Sequence, residues 1–146
     1  MIEYKRLTQT ELPSLLRLYP QLSEKNAYIA PERAEEVWQQ AESMGIVYFG
    51  AVDGDMVVSS CYLCVIPNLT RGGRPVGFIE NVITDGAYRR RGIGEKVMRM
   101  AVDCAKEMDC YFVMLASGSS RTGAHAFYEK LGFDGESKRA FEIQFP

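Results

Sequence analysis

The sequence predicts one α/β domain over residues 1–146, with a mixed sheet of six to seven strands and about four helices. Three observations lead there. Short apolar runs of strand length alternate with stretches whose apolar residues recur at i, i+3, i+4 and i+7. Asp53-Gly54-Asp55 joins two strand-like runs as a hairpin, which makes that pairing antiparallel. Arg89-Arg90-Arg91-Gly92-Ile93-Gly94 joins a strand-like run to a helical one, and the next strand then returns parallel through a right-handed crossover.

The elements follow in order. Ile2 to Leu7 alternates as a first strand. Thr10 is placed to cap a helix with Leu12, Leu15, Leu16 and Tyr19 on one face, ended by Pro20. Pro31 suits the first turn of a second helix, which aligns Ala34, Val37, Trp38 and Ala41 and stops at Gly45. Ile46 to Val52 and Met56 to Ile66 flank the hairpin turn. Pro67 to Pro75 is a polar loop, and Gly77 to Thr84 is the strand before the arginine turn. Glu95 to Met108 continues a helix whose stripe is Ile93, Val97, Met100, Ala101, Cys104 and Met108. Tyr111 to Ala116 is a short buried strand, and Gly118-Ser119-Ser120 a loop. Ala124, Phe127, Tyr128 and Leu131 mark a last helix with Gly132 as its C-cap. From Phe133 through Phe141-Glu142-Ile143-Gln144-Phe145 the chain reads as one or two closing strands.

Composition narrows the function. The chain is 47% apolar and 25% charged, with net charge −2, which does not point to a nucleic-acid partner. No apolar run has the length of a membrane span, and Met1-Ile2-Glu3-Tyr4-Lys5-Arg6 lacks a signal-peptide pattern, so a cytoplasmic location is expected. Cys61 and Cys64 have CxxC spacing, but residues three apart on a strand point to opposite faces. They, with Cys104 and Cys110, read as structural, and no metal site is expected.

The arginine turn carries the chemistry. A helix start offers unpaired N–H groups and a partial positive charge to a phosphate, glycines permit close approach, and arginines add forked donors. GxxxxGK[ST] is absent, and Gly92-Ile93-Gly94 lacks the third glycine of a dinucleotide fingerprint. What remains is [Arg/Gln]-x-x-Gly-x-Gly, met by Arg89, Gly92 and Gly94.

This motif resembles that of the GNAT superfamily of acyl-CoA-dependent N-acetyltransferases. Phe127-Tyr128-Glu129-Lys130-Leu131-Gly132-Phe133 is similar to that family's FYxKxGF segment, at the family's spacing. The resemblance is strong over residues 76–133 and, before that, is one of element order. It implies a splayed sheet of the acyl-CoA N-acyltransferase kind and acetyl-CoA as cofactor, with CoA as product. It assigns the pyrophosphate to the N–H groups of Arg91, Gly92, Ile93, Gly94 and Glu95, framed by Arg89 and Arg90. Val82, Ile83 and Thr84 would pair with the pantetheine arm as an added strand, and Arg121 or Lys130 would meet the 3′-phosphate. Arg121 stands where many members have Asn, a departure touching the outer part of the cofactor.

Acetyl transfer to an amine needs a base, an oxyanion donor and an acid for the leaving thiolate. Tyr128 is the candidate acid, since a phenol stays protonated where a thiol ionises. A backbone N–H near Val82 or Ile83 is the candidate donor. Glu80 is the candidate base, acting through water, because it interrupts an apolar strand; a partly solvated sheet-face glutamate is the equal alternative. It is expected on the same strand face as Val82 and Thr84, with Asn81 facing the other side. His125 is expected to pack or lie at the surface.

The expected reaction is direct acetyl transfer to a primary amine of a small molecule or a protein. A non-catalytic CoA-binding sensor and a nucleotide-binding protein are the alternatives. The acceptor surface is expected to include Tyr19, Tyr28, Trp38, Arg71 and Arg74, and a homodimer is left open.

Overall fold

Each helix of this chain buries one stripe against a single twisted sheet. In the computed structural model, which describes residues 1–23 and 27–146, the sheet has five strands in the order β1-β2-β3-β4-β5. They are β1 (Ile2–Arg6), β2 (Val47–Asp53), β3 (Met56–Ile66), β4 (Val76–Thr84) and β5 (Val113–Met114). The first four pair antiparallel and β5 runs parallel to β4, so the sheet is mixed as expected.

The α-helices among the described residues are α1 (Leu12–Leu18), α2 (Pro31–Ser43), α3 (Ile93–Glu107) and α4 (Thr122–Lys130). Two cores result. One face of the sheet packs α1 and α2 through Leu12, Leu15, Leu18, Ala34 and Trp38 against Val52, Val57 and Ile83. The other face packs α3 and Tyr128 of α4 through Ile93, Val97, Met98, Ala101 and Cys104 against Phe49, Val58, Cys61, Leu63 and Ile79. A buried tie links α1 to the sheet, where the Val57 N–H donates to Ser14 Oγ at 2.8 Å.

Three details differ from the sequence reading. The chain enters α1 through a short 3-10 turn capped by Thr8, not Thr10, because Glu11 reaches back to the Thr8 N–H and completes a capping box. The stripe of α3 turns toward Met98 and Ala105, leaving Met108 46% exposed past the helix end. Most consequentially, no closing strand forms among the described residues after Phe133. Among the described residues the count is therefore five rather than the expected six to seven, because residues 134–146 form no ladder with any strand.

Candidate active site

A bulge in β4 organises the site. Ser60 pairs with Ile83 and Tyr62 with Glu80, so Asn81 and Val82 together face the single residue Cys61. Asn81 takes the left-handed backbone region, φ 52°, which asparagine tolerates better than most residues. The extra residue slips the side-chain alternation. Ile79 lies in the α3 core and Ile83 in the α1–α2 core, although residues four apart on a regular strand share a face.

The slip overturns one expectation: Glu80 does not share a face with Val82 and Thr84. Glu80 lies across from Tyr62, whose ring leans on Tyr48 (centroids 5.3 Å apart), which in turn packs on Trp38 of α2 (4.6 Å). Val82 packs toward the α3 core, and Thr84 Oγ1 lies against Gly94 of α3.

The sheet also opens here. β4 and β5 pair only at Gly77–Val113 and Phe78–Met114. Past Phe78 the strands part, and the β4 edge from Ile79 to Thr84 has no ladder partner on that side. Two carbonyls there are already engaged, Ile83 O by Ser59 Oγ (3.1 Å) and Thr84 O by Arg89 Nε (3.1 Å).

The helix start expected to bind an anion has the right form. Gly92 is the N-cap of α3 in the left-handed region (φ 74°), and no side chain caps the helix. The first-turn N–H groups therefore point out with no intrahelical acceptor. Gly94 is required for close approach, since a Cβ there would meet Thr84 Oγ1 at 2.8 Å. Arg90 also has a positive φ (61°), while Arg91 stacks over Tyr88 (5.1 Å), whose hydroxyl donates to Asp53 at 2.6 Å. Glu95 pairs with Arg99 at 2.9 Å. These features fit a diphosphate held by main-chain amides, with arginines at its rim.

Tyr128 sits on α4, edge-on to Phe127 and Phe133, and lines a cleft of about 560 Å³ between β5 and α4. Its hydroxyl has no hydrogen-bond partner among the described residues. Burial raises its pKa, Arg121 opposes that, and Cys61 and Glu80 add to it, so the phenol stays protonated through the neutral range. Burial likewise raises the Glu80 carboxyl, against a hydrogen bond from the Asn81 backbone. Tyr62 is pushed up to about 12, by burial and then by the Glu80 charge. The structure thus brings Glu80, Tyr62 and Tyr128 into one electrostatic neighbourhood.

Other expected residues fall differently. Arg121 and Lys130 stand at opposite ends of α4, both exposed and without an ion pair among the described residues. Arg71 and Arg74 stack on Tyr111, and Arg74 also bonds the Cys110 carbonyl and pairs with Asp109, so neither is a free acceptor-binding cation. Trp38 is buried and donates to Glu42 (2.6 Å), and Tyr28 is exposed. His125 Nε2 bonds the Gly118 carbonyl (2.8 Å), consistent with a packing residue. Tyr48 and Tyr62 were missed as site residues. The one sequence signal was Asn81 inside an apolar strand, a residue type that marks irregular backbone.

The chain matches known proteins. Residues 12–133 match the Acetyltransferase (GNAT) family, and the chain belongs to that family. It is similar to a glucosamine 6-phosphate N-acetyltransferase of Trypanosoma brucei brucei, 34% identical over 134 residues, covering 90% of this chain and 88% of that protein. A crystal structure of a Trypanosoma brucei acetyltransferase superimposes with a TM-score of 0.88 at 29% identity, covering 99% of this chain and 100% of that one. The glucosamine-6-phosphate N-acetyltransferase of Arabidopsis thaliana shares the fold, with TM-score 0.88 at 21% identity and 98% of each chain covered. The chain is an acetyl-CoA-dependent N-acetyltransferase that moves an acetyl group to an amine.

Proposed function

We propose that residues 1–146 form one catalytic unit that acetylates the primary amine of a small polar acceptor, an amino sugar phosphate being the first to test. The curated relatives that act on glucosamine 6-phosphate support that choice. The bulge at Asn81 carries the reading. It turns Glu80 toward the tyrosine wall of β2 and β3 while the next residues of β4 keep an open main-chain edge.

Acetyl-CoA supplies a thioester whose acetyl carbon an amine can attack. The N–H groups of Arg91 to Glu95 hold its pyrophosphate, with Arg89 and Arg90 at the rim, and Arg121 or Lys130 takes the 3′-phosphate. Val82, Ile83 and Thr84 hold the pantetheine arm along the free β4 edge. Glu80, its carboxyl raised toward the neutral range, accepts the ammonium proton through water. A backbone N–H at Val82 or Ile83 faces the developing oxyanion. Tyr128 donates its proton to the leaving thiolate. A cytoplasmic setting agrees with four unpaired cysteines, which oxidising compartments tend to join.

Thiol release from acetyl-CoA against a panel of glucosamine 6-phosphate, aminoglycosides and peptide N-termini tests the acceptor. Tyr128→Phe tests the acid. Its hydroxyl bonds to nothing among the described residues, so the variant keeps its Tm and its acetyl-CoA KM, while kcat falls by about 100-fold or more. Undiminished kcat removes Tyr128 from the reaction.

A further inference from the structure

The aromatic wall beside Glu80 ends in a bare ring. Trp38 of α2 packs on Tyr48 of β2 at 4.6 Å, and Tyr48 on Tyr62 of β3 at 5.3 Å. Among the described residues no further ring or cation lies on Tyr62. The wall is stepped rather than flat, with tilts of 33° and 46° between successive rings. Trp38 is buried, Tyr48 is held between the other two rings, and Tyr62 is half-buried. The end of the wall therefore offers a ligand one ring's width of aromatic face.

Charge at this ring is one-sided. Glu80 is exposed and stands directly across the β3–β4 ladder from Tyr62. Residues opposite one another in an antiparallel pair have Cβ atoms about 4.5–5.5 Å apart, within reach of each other's side chains. The Glu80 charge acts on the Tyr62 hydroxyl, as do Tyr48 and Cys64, and none of these groups is a cation. An anionic part of an acceptor finds no partner here. A cationic amine finds the carboxylate, and the neutral skeleton that carries it finds an aromatic face.

A face one ring wide matches one saturated ring. The C–H bonds on one side of such a ring lie against the π cloud, whose negative face attracts their partial positive charge. An open chain of the same atoms must be ordered before it makes equal contact, which costs conformational freedom. Resting on the small-acceptor reading, we propose that Tyr62 is a specificity-determining residue. Its ring carries the saturated ring of the acceptor, with the amine of that ring turned toward Glu80. Tyr62 thereby sorts ring-borne amines from open-chain ones, and its hydroxyl is not needed for the sorting.

Glucosamine 6-phosphate and its reduced form, 2-amino-2-deoxyglucitol 6-phosphate, carry the same amine and phosphate and differ in the ring. Thiol release from acetyl-CoA should favour the ring by about tenfold or more in kcat/KM. Tyr62→Phe keeps the aromatic face and should keep that ratio. Tyr62→Leu keeps apolar bulk without the face. Its KM for the ring acceptor should rise about tenfold, with kcat within about twofold and the acetyl-CoA KM unchanged, the mark of lost uniform binding. Proton NMR with CoA present gives a second readout. The acceptor's ring C–H signals should move upfield on binding to wild type and to Tyr62→Phe, and not to Tyr62→Leu. Equal kcat/KM for ring and chain in wild type, the full preference retained in Tyr62→Leu, or no upfield shift in wild type would each overturn the platform while leaving the small-acceptor reading intact. Acetylation of peptide N-termini alone would overturn both.

Discussion

Gly94→Ala probes the closest contact between cofactor cradle and sheet. The new methyl carbon would lie 2.8 Å from Thr84 Oγ1, with Phe127 Cζ at 3.6 Å on another side. Thr84 cannot swing away freely, because its Oγ1 is hydrogen-bonded at 2.8 Å to Ser59 Oγ, itself buried. Overpacking of this kind costs about 1–3 kcal/mol, against about 0.5–1 kcal/mol gained when alanine replaces glycine in a helix. The midpoint of the balance is about 1 kcal/mol against the variant, or a Tm lower by about 2–4 °C. Since the strain lifts the first turn of α3 from β4, CoA affinity should drop by about tenfold, equivalent to about 1.4 kcal/mol. Isothermal titration with CoA measures it. Thr84→Ala removes the clashing oxygen, so the double variant should recover affinity relative to Gly94→Ala, a positive coupling in the cycle. Wild-type CoA affinity in Gly94→Ala, or no recovery in the double variant, would refute the close-approach argument.

Further outcomes are expected at three residues. Glu80→Gln should abolish the ascending limb that a raised carboxyl gives the pH profile of kcat/KM, and an unchanged profile would exclude Glu80 as base. The linkage has a definite sign. A carboxyl raised on folding favours the native state while protonated and loses that contribution as pH climbs through its folded pKa, so wild-type Tm should fall relative to Glu80→Gln over that interval. Asn81→Gly should keep the bulge and most activity, whereas Asn81→Val, forced to φ 52°, should lose about 1–3 kcal/mol in urea denaturation along with most turnover; equal stabilities would contradict the bulge. Ser14→Ala strands the buried Val57 N–H and should cost about 1–3 kcal/mol, read from the urea midpoint; an unmoved midpoint would show that the tie contributes nothing.

Where residues obey one period, the sequence showed the fold plainly. β3 begins at Met56 and ends at Ile66 as its apolar run does, and α2 runs from Pro31 because proline suits a first turn. The helix start in the arginine turn was equally legible, because Gly92 suits a left-handed N-cap. The bulge was not. A one-residue insertion leaves each side chain's chemistry unchanged and alters only which face it takes, so Glu80 was assigned the wrong neighbours. Thr8 and Thr10 are equally good caps by type, and the return contact of Glu11 decides between them. Phe141 to Phe145 alternates as a strand would, yet no strand forms there, because alternation alone supplies no partner edge.

The bulge at Asn81 gives one strand two trades. Upstream of it, in the function proposed above, Glu80 and its tyrosine neighbours face the acceptor through side chains. Downstream, β4 offers mostly peptide groups, which any sequence supplies. Drift on the acceptor wall can thus retarget the enzyme to a new amine while its hold on the acyl carrier is inherited intact. A lineage built this way can diversify its clientele without relearning how to handle its currency.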